Sequence, residues 1–75
     1  MLKCITLEII GERKLVCGGC EERIEGLLKK LEGVNKVRAK AHNQHVEILF
    51  NAARLDANAI AEYLLTAGYR TRVAN

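Results

Sequence analysis

The chain has 75 residues, enough for one small domain and too few for two independent cores, since a domain of this size buries only about 60% of its unfolded surface. With 49% apolar and 28% charged residues it reads as an ordinary globular sequence, without low-complexity runs or a linker. Twelve basic and nine acidic side chains give a net charge of +3, a mixed solvated surface that argues against a dedicated nucleic-acid binder, and no apolar run approaches the roughly 18 residues of a membrane span.

The N-terminal segment meets charge at Lys3 and Glu8, too soon for a secretory signal, so the expectation is a cytoplasmic protein, in which close cysteine pairs serve metals or catalysis. Ile5, Leu7 and Ile9 alternate with Cys4, Thr6 and Glu8, the period-2 pattern of a half-buried strand. Gly11-Glu12-Arg13-Lys14 interrupts it, and Leu15-Val16 leads into Cys17-Gly18-Gly19-Cys20. From there Ile24, Leu27, Leu28 and Leu31 fall at i, i+3, i+4 and i+7, with charged residues on the other faces. This predicts a helix with acids in its first turn, Lys29 and Lys30 in its last and Gly33 as its stop. Gly26 inside it sacrifices helix propensity, which points to close packing at that position.

Val37, Ala39 and Ala41, then Val46, Ile48 and Phe50, mark two further strands. His42-Asn43-Gln44-His45 between them forms a hairpin connection. Asp56 is positioned to cap a second helix, with Ile60, Tyr63, Leu64 and Ala67 on its buried stripe and Gly68 at its end. Tyr69, Thr71 and Val73 form the inward side of a last strand. The order β-α-β-β-α-β predicts an α+β, ferredoxin-like sandwich: a four-stranded antiparallel sheet with both helices on one face, in a single domain spanning residues 1–75. Its outer face carries Lys36, Arg38, Lys40, Arg70 and Arg72.

Cys17 and Cys20 are the residues with chemistry to offer. Three positions apart at the mouth of a helix, they can turn both sulfurs toward one point, and Gly18 and Gly19 let the backbone approach it without Cβ clashes. The N–H groups and positive dipole end of the helix favour thiolate. A thiolate pair is a soft-metal ligand or a redox nucleophile. Without a histidine or carboxylate at ligand spacing beside it, the pair suits Cu(I) or Hg(II), whereas Zn(II) prefers four ligands.

The run Cys17-Gly18-Gly19-Cys20, then Leu27 to Val34, then Ala67-Gly68-Tyr69 resembles the heavy-metal-associated domain family. That family comprises small copper chaperones, metal-binding modules of P-type metal ATPases and mercuric-ion carriers. The resemblance covers nearly the whole chain. It implies that Cys17 and Cys20 hold one soft ion, Cu(I) first, with Hg(II) or Zn(II) as alternatives. The ion then passes by thiolate exchange to a metal-transporting P-type ATPase or another metal-receiving protein. The protein is thus expected to be a carrier rather than an enzyme, and a monomer or a metal-bridged homodimer. The family commonly has Met two residues before the first cysteine, where Leu15 is a volume-conserving exchange. Val16 replaces a residue more often polar; a carboxylate there accompanies zinc or cadmium, so Val16 favours Cu(I). Gly11 to Lys14 is a short insertion. Tyr69 matches a tyrosine that shields the metal in bacterial members, and packing of its ring in the core is the other role the position allows.

Three rival readings are weaker. A CxxC disulfide oxidoreductase of the thioredoxin type needs a cis-proline, and the chain contains no proline. A structural Cys₃His zinc site would have to join Cys4, Cys17, Cys20 and His42 or His45, yet the alternation turns Cys4 away from the helices, and the histidines are hairpin-tip residues. RNA-recognition domains share the element order but stack bases on sheet aromatics, and here Phe50, Tyr63 and Tyr69 are the only aromatics.

Overall fold

The computed structural model describes residues 1–11, 15 and 18–74. The elements follow in the expected order: β1 (Leu2–Ile10), α1 (Gly18–Lys29), β2 (Val34–Lys40), β3 (His45–Asn51), α2 (Ala57–Thr66) and β4 (Arg70–Val73). The strands form one antiparallel sheet in the order β2-β3-β1-β4. In its centre Ile5 stands opposite Ile48 and Leu7 opposite Val46; Val37 and Ala39 of β2 face the same two β3 residues from the other side. Since side chains alternate faces along each strand, this register puts Ile5, Leu7, Ile9, Ala39, Val46, Ile48 and Phe50 on one side, where all are buried. Ile24 and Leu28 of α1 and Ile60 and Leu64 of α2 close the layer from above, each with no exposed surface. This is the ferredoxin-like βαββαβ sandwich that the apolar periodicity predicts.

α2 carries both of its sequence signals. The Asp56 carboxylate accepts the Ala59 N–H at 2.7 Å, satisfying one of the orphan donors of the first turn. At the other end Tyr69 N–H donates to Leu64 O at 2.9 Å and Gly68 N–H to Leu65 O at 3.0 Å. With Gly68 at φ +97, this is a Schellman closure, in which the left-handed residue carries no Cβ.

Four details depart from the sequence reading. α1 ends at Lys29, four residues before Gly33. The chain unwinds through i→i−3 bonds, Lys30 N–H to Leu27 O at 3.3 Å and Leu31 N–H to Leu28 O at 3.0 Å. Gly33, at φ +103, instead makes the turn into β2 and accepts the Asn51 N–H through its carbonyl at 2.7 Å. β2 then carries an extra residue, because Val34 faces Phe50 and Lys36 faces Leu49, with Asn35 bulged between them. Val73 lies on the inward alternation but stays 57% exposed, since β4 is an edge strand with a strand neighbour on one side only. Gly26 does not serve close packing: it is exposed, and no neighbouring atom lies within 4 Å of where a Cβ would stand.

The outer face is as basic as expected, although two of its cations are paired. Lys40 meets Glu47 at 3.1 Å and Arg72 meets Glu8 at 2.8 Å, while Lys36, Arg38 and Arg70 are exposed beside them. Phe50 and Tyr69 are buried on the helix side and Tyr63 packs against the same core. The outer face therefore offers no phenylalanine or tyrosine ring on which a base would stack.

Gly26→Ala tests the helix reading directly. Exposed mid-helix glycine is about 1 kcal/mol worse than alanine, so the variant should gain about that much in denaturant titration. Its thermal midpoint should rise by roughly 4–8 °C.

Candidate metal centre

The first helix begins inside the cysteine motif. Gly18, Gly19 and Cys20 are the first three residues of α1, where main-chain N–H groups lack acceptors within the helix. Gly19 is exposed, and Cys20 is half-buried with its side chain against the core. The same apolar stripe that buries Ile24 and Leu28 fixes the azimuth of Cys20, because these residues succeed one another at four-residue intervals on one face. Val16, Cys17 and the insertion residues 12–14 lie outside the described residues.

Leu15, two positions before Cys17, is only 3% exposed and belongs to the core, an apolar footing for the chain ahead of the motif. Its main chain is held by a side chain that the sequence reading passed over. The Leu15 N–H donates to Gln44 Oε1 at 2.7 Å, and Gln44 Nε2 donates back to Leu15 O at 2.7 Å. A second donation from Gln44 Nε2 reaches Ala41 O, also at 2.7 Å. The main-chain oxygen of Gln44 accepts the Ile9 N–H at 2.7 Å. Gln44 thus imitates a strand residue for Leu15 with its side chain while joining β1 through its backbone. The available signal was a hairpin connection without glycine: the left-handed turn position falls on Gln44 itself, at φ 59. Neighbouring Asn43 supports the turn by accepting the His45 N–H at 3.1 Å.

Two acids of α1 bond to the neighbouring strand segment rather than standing only in solvent. Glu21, directly after Cys20, accepts the Ala41 N–H through its Oε2 at 2.6 Å. One turn later Glu25 Oε2 accepts the Ala39 N–H at 3.0 Å. β2 is an edge strand, so these N–H groups have no strand partner, and the i, i+4 spacing of the two carboxylates matches the two-residue repeat of the donors. Glu22 and Arg23 are exposed.

Tyr69 is 2% exposed and part of the core, so core packing is the role its geometry displays. Cys4 is exposed on the outer face of the sheet, whereas Cys20 packs on the helix side. A site using both would have to span the sheet. His42 is exposed at the hairpin tip and His45 opens β3. Among the described residues no three His, Cys, Asp or Glu side chains gather as a ligand set, which leaves the Cys₃His arrangement without support.

A ferredoxin-like sandwich with a CxxC motif at the start of its first helix is the design of a small metal-binding module. The heavy-metal-associated domain model matches residues 13–70, a span that contains the whole motif and Tyr69, and the chain belongs to that family. It is 36% identical over 55 residues to the COP-associated protein of Helicobacter felis, covering 73% of this chain and 82% of that protein. Among solved structures it superimposes on oxidized MerP from Ralstonia metallidurans over the full length of both chains, with a TM-score of 0.87 and 23% identity, a likeness of fold. The N-terminal domain of a potential copper-translocating P-type ATPase from Bacillus subtilis, solved in its Cu(I)-loaded state, matches with a TM-score of 0.83 and 25% identity. That match covers 97% of this chain and 88% of the domain.

Truncating the footing should cost far more than exchanging it. Leu15→Ala is expected to lose about 2–5 kcal/mol of stability through transfer and cavity terms, and Leu15→Met less than about 1.5 kcal/mol. Chemical denaturation of the metal-free protein measures both.

Proposed function

We propose that residues 1–75 act as one heavy-metal-associated domain that binds a single soft ion, Cu(I) in the first instance, through Cys17 and Cys20 and passes it to a protein partner. The observation that carries this reading is the placement of Cys20 in the first turn of α1, half-buried against the core, three positions after Cys17 in a stretch the family model covers. Two sulfur donors satisfy Cu(I) or Hg(II), which accept low coordination by soft ligands, while Zn(II) would require further donors. Low coordination is also what transfer needs: a partner thiolate can add to the ion before either of the first two leaves, so the ion need not dissociate into water.

The Cu(I)-loaded domain of a potential copper-translocating P-type ATPase among its structural relatives favours copper as the cargo and a metal-transporting P-type ATPase, or another metal-receiving protein, as the partner. A mercuric-ion carrier of the same fold is the alternative, since Hg(II) is equally satisfied by two sulfur donors. Thiol-disulfide exchange is a further reading of the same two cysteines, but the ferredoxin-like order supplies none of the framework that thioredoxin-type chemistry uses. The role is carriage rather than catalysis, without nucleic acid as a ligand. Among the described residues no helix is long and apolar enough to cross a membrane. A carrier that depends on reduced thiols fits the cytoplasm. It works as a monomer, with metal-bridged pairing of two copies as the other arrangement two thiolates permit, and Leu15, Val16, Gly18, Gly19 and Tyr69 frame the ligands.

Competition of Cu(I), Hg(II) and Zn(II) against chelators of known strength ranks the ions. Cys17→Ser or Cys20→Ser should abolish tight 1:1 Cu(I) binding without unfolding the protein, and Cys4→Ser should leave it unchanged. Stoichiometric Cu(I) retained by either of the first two variants rejects the assignment.

A further inference from the structure

The β2–β3 connection grips the chain on both sides of the thiol motif. On one side, both polar atoms of the Gln44 amide are engaged with the main chain of Leu15 at 2.7 Å, across a sequence separation of 29 residues. On the other, Glu21, the residue directly after Cys20, accepts the Ala41 N–H at 2.6 Å. The two grips are themselves joined, because Gln44 Nε2 also donates to Ala41 O. The whole assembly is tied to β1 by the Ile9 N–H on the Gln44 carbonyl. Leu15, Ala41, Gln44 and Glu21 therefore form one hydrogen-bonded frame, and in sequence Leu15 and Glu21 bracket the cysteine motif.

We propose that Gln44 is a positioning residue for the thiol pair. Its amide fixes where the chain enters the motif, the Ala41–Glu21 bond fixes where it leaves, and the spacing between the two ends is set before any ion arrives. A two-donor site gains affinity when the donors are held near their bound separation, because less ordering remains to be done on binding. Gln44 acts through Leu15, whose main chain its amide holds. This rests on the reading of Cys17 and Cys20 as the ion-binding pair, so its test includes a metal-free readout.

Gln44→Gly separates positioning from folding. At φ 59 glycine is free of the steric cost that a side chain bears, so the substitution removes the amide while relieving the backbone. Gln44→Glu is the second variant: it keeps the shape and an acceptor for the Leu15 N–H but loses both donations. Each is assayed at a temperature where it is fully folded by circular dichroism. The metal-free readout is equilibrium with glutathione, in which the two thiols of Cys17 and Cys20 and one GSSG give the intramolecular disulfide and two GSH. The equilibrium constant reports the effective concentration of one thiol at the other. Both variants should lower it by roughly tenfold, the equivalent of about one net hydrogen bond, and should lower Cu(I) affinity in the same direction. Wild-type values in both measurements would overturn the proposal. A wild-type protein that fails to bind Cu(I), with the effective concentration still reduced in the variants, would overturn the copper reading and leave the positioning role standing.

Discussion

The placement of α1 depends on how the sheet treats its β2 edge. The main-chain N–H groups of Ala39 and Ala41 point away from β3 and would be orphaned against the flank of the helix. The carboxylates of Glu25 and Glu21 take them up at 3.0 and 2.6 Å. Apolar burial of Ile24 and Leu28 presses α1 onto the sheet, but burial is indifferent to small slides along the helix axis. Two directional bonds to successive outward donors remove that freedom. Cys20 precedes Glu21 directly, so the axial position of its sulfur is inherited from an interaction made with an edge strand.

The same logic explains why a side-chain amide occupies the β2–β3 connection. Leu15 sits in the core without belonging to any strand, and its N–H and C=O need partners as strictly as any other buried peptide group does. Gln44 supplies both from one planar group, with donor and acceptor spaced to match a neighbouring strand residue. Tyr69 plays a comparable double part at the far end of the chain, closing α2 through its N–H and filling the core with its ring.

The sequence made the element order, the core face of each strand, the Asp56 cap and the Gly68 closure legible, because each follows from local chemistry or strict periodicity. Cys17 and Cys20 stood out for the same reason: spacing, flanking glycines and the onset of a helical pattern all coincide there. What stayed hidden was tertiary. Nothing at Gln44 or Glu25 distinguishes a residue bonded to another segment from a solvated one, since the partners are peptide groups 14 to 29 positions away. Gly33 misled because a glycine after a lysine-rich turn signals a helix stop, whereas its left-handed φ was needed for the turn into β2. Gly26 misled in the opposite sense, by inviting a packing reason where the position faces open space.

The two rims of the sheet are treated unequally, and this governs how copies of the molecule can meet. Along β2 the Glu25 carboxylate occupies the Ala39 N–H, and just past its end the Glu21 carboxylate occupies the Ala41 N–H, so addition of a foreign strand there must first break charge-assisted bonds. The opposite edge strand, β4, is four residues long. Two copies docking there would bring Arg70 and Arg72 of both chains into the same few ångströms of rim. Copies of the molecule that meet edge to edge thereby resist adding strand upon strand into fibres.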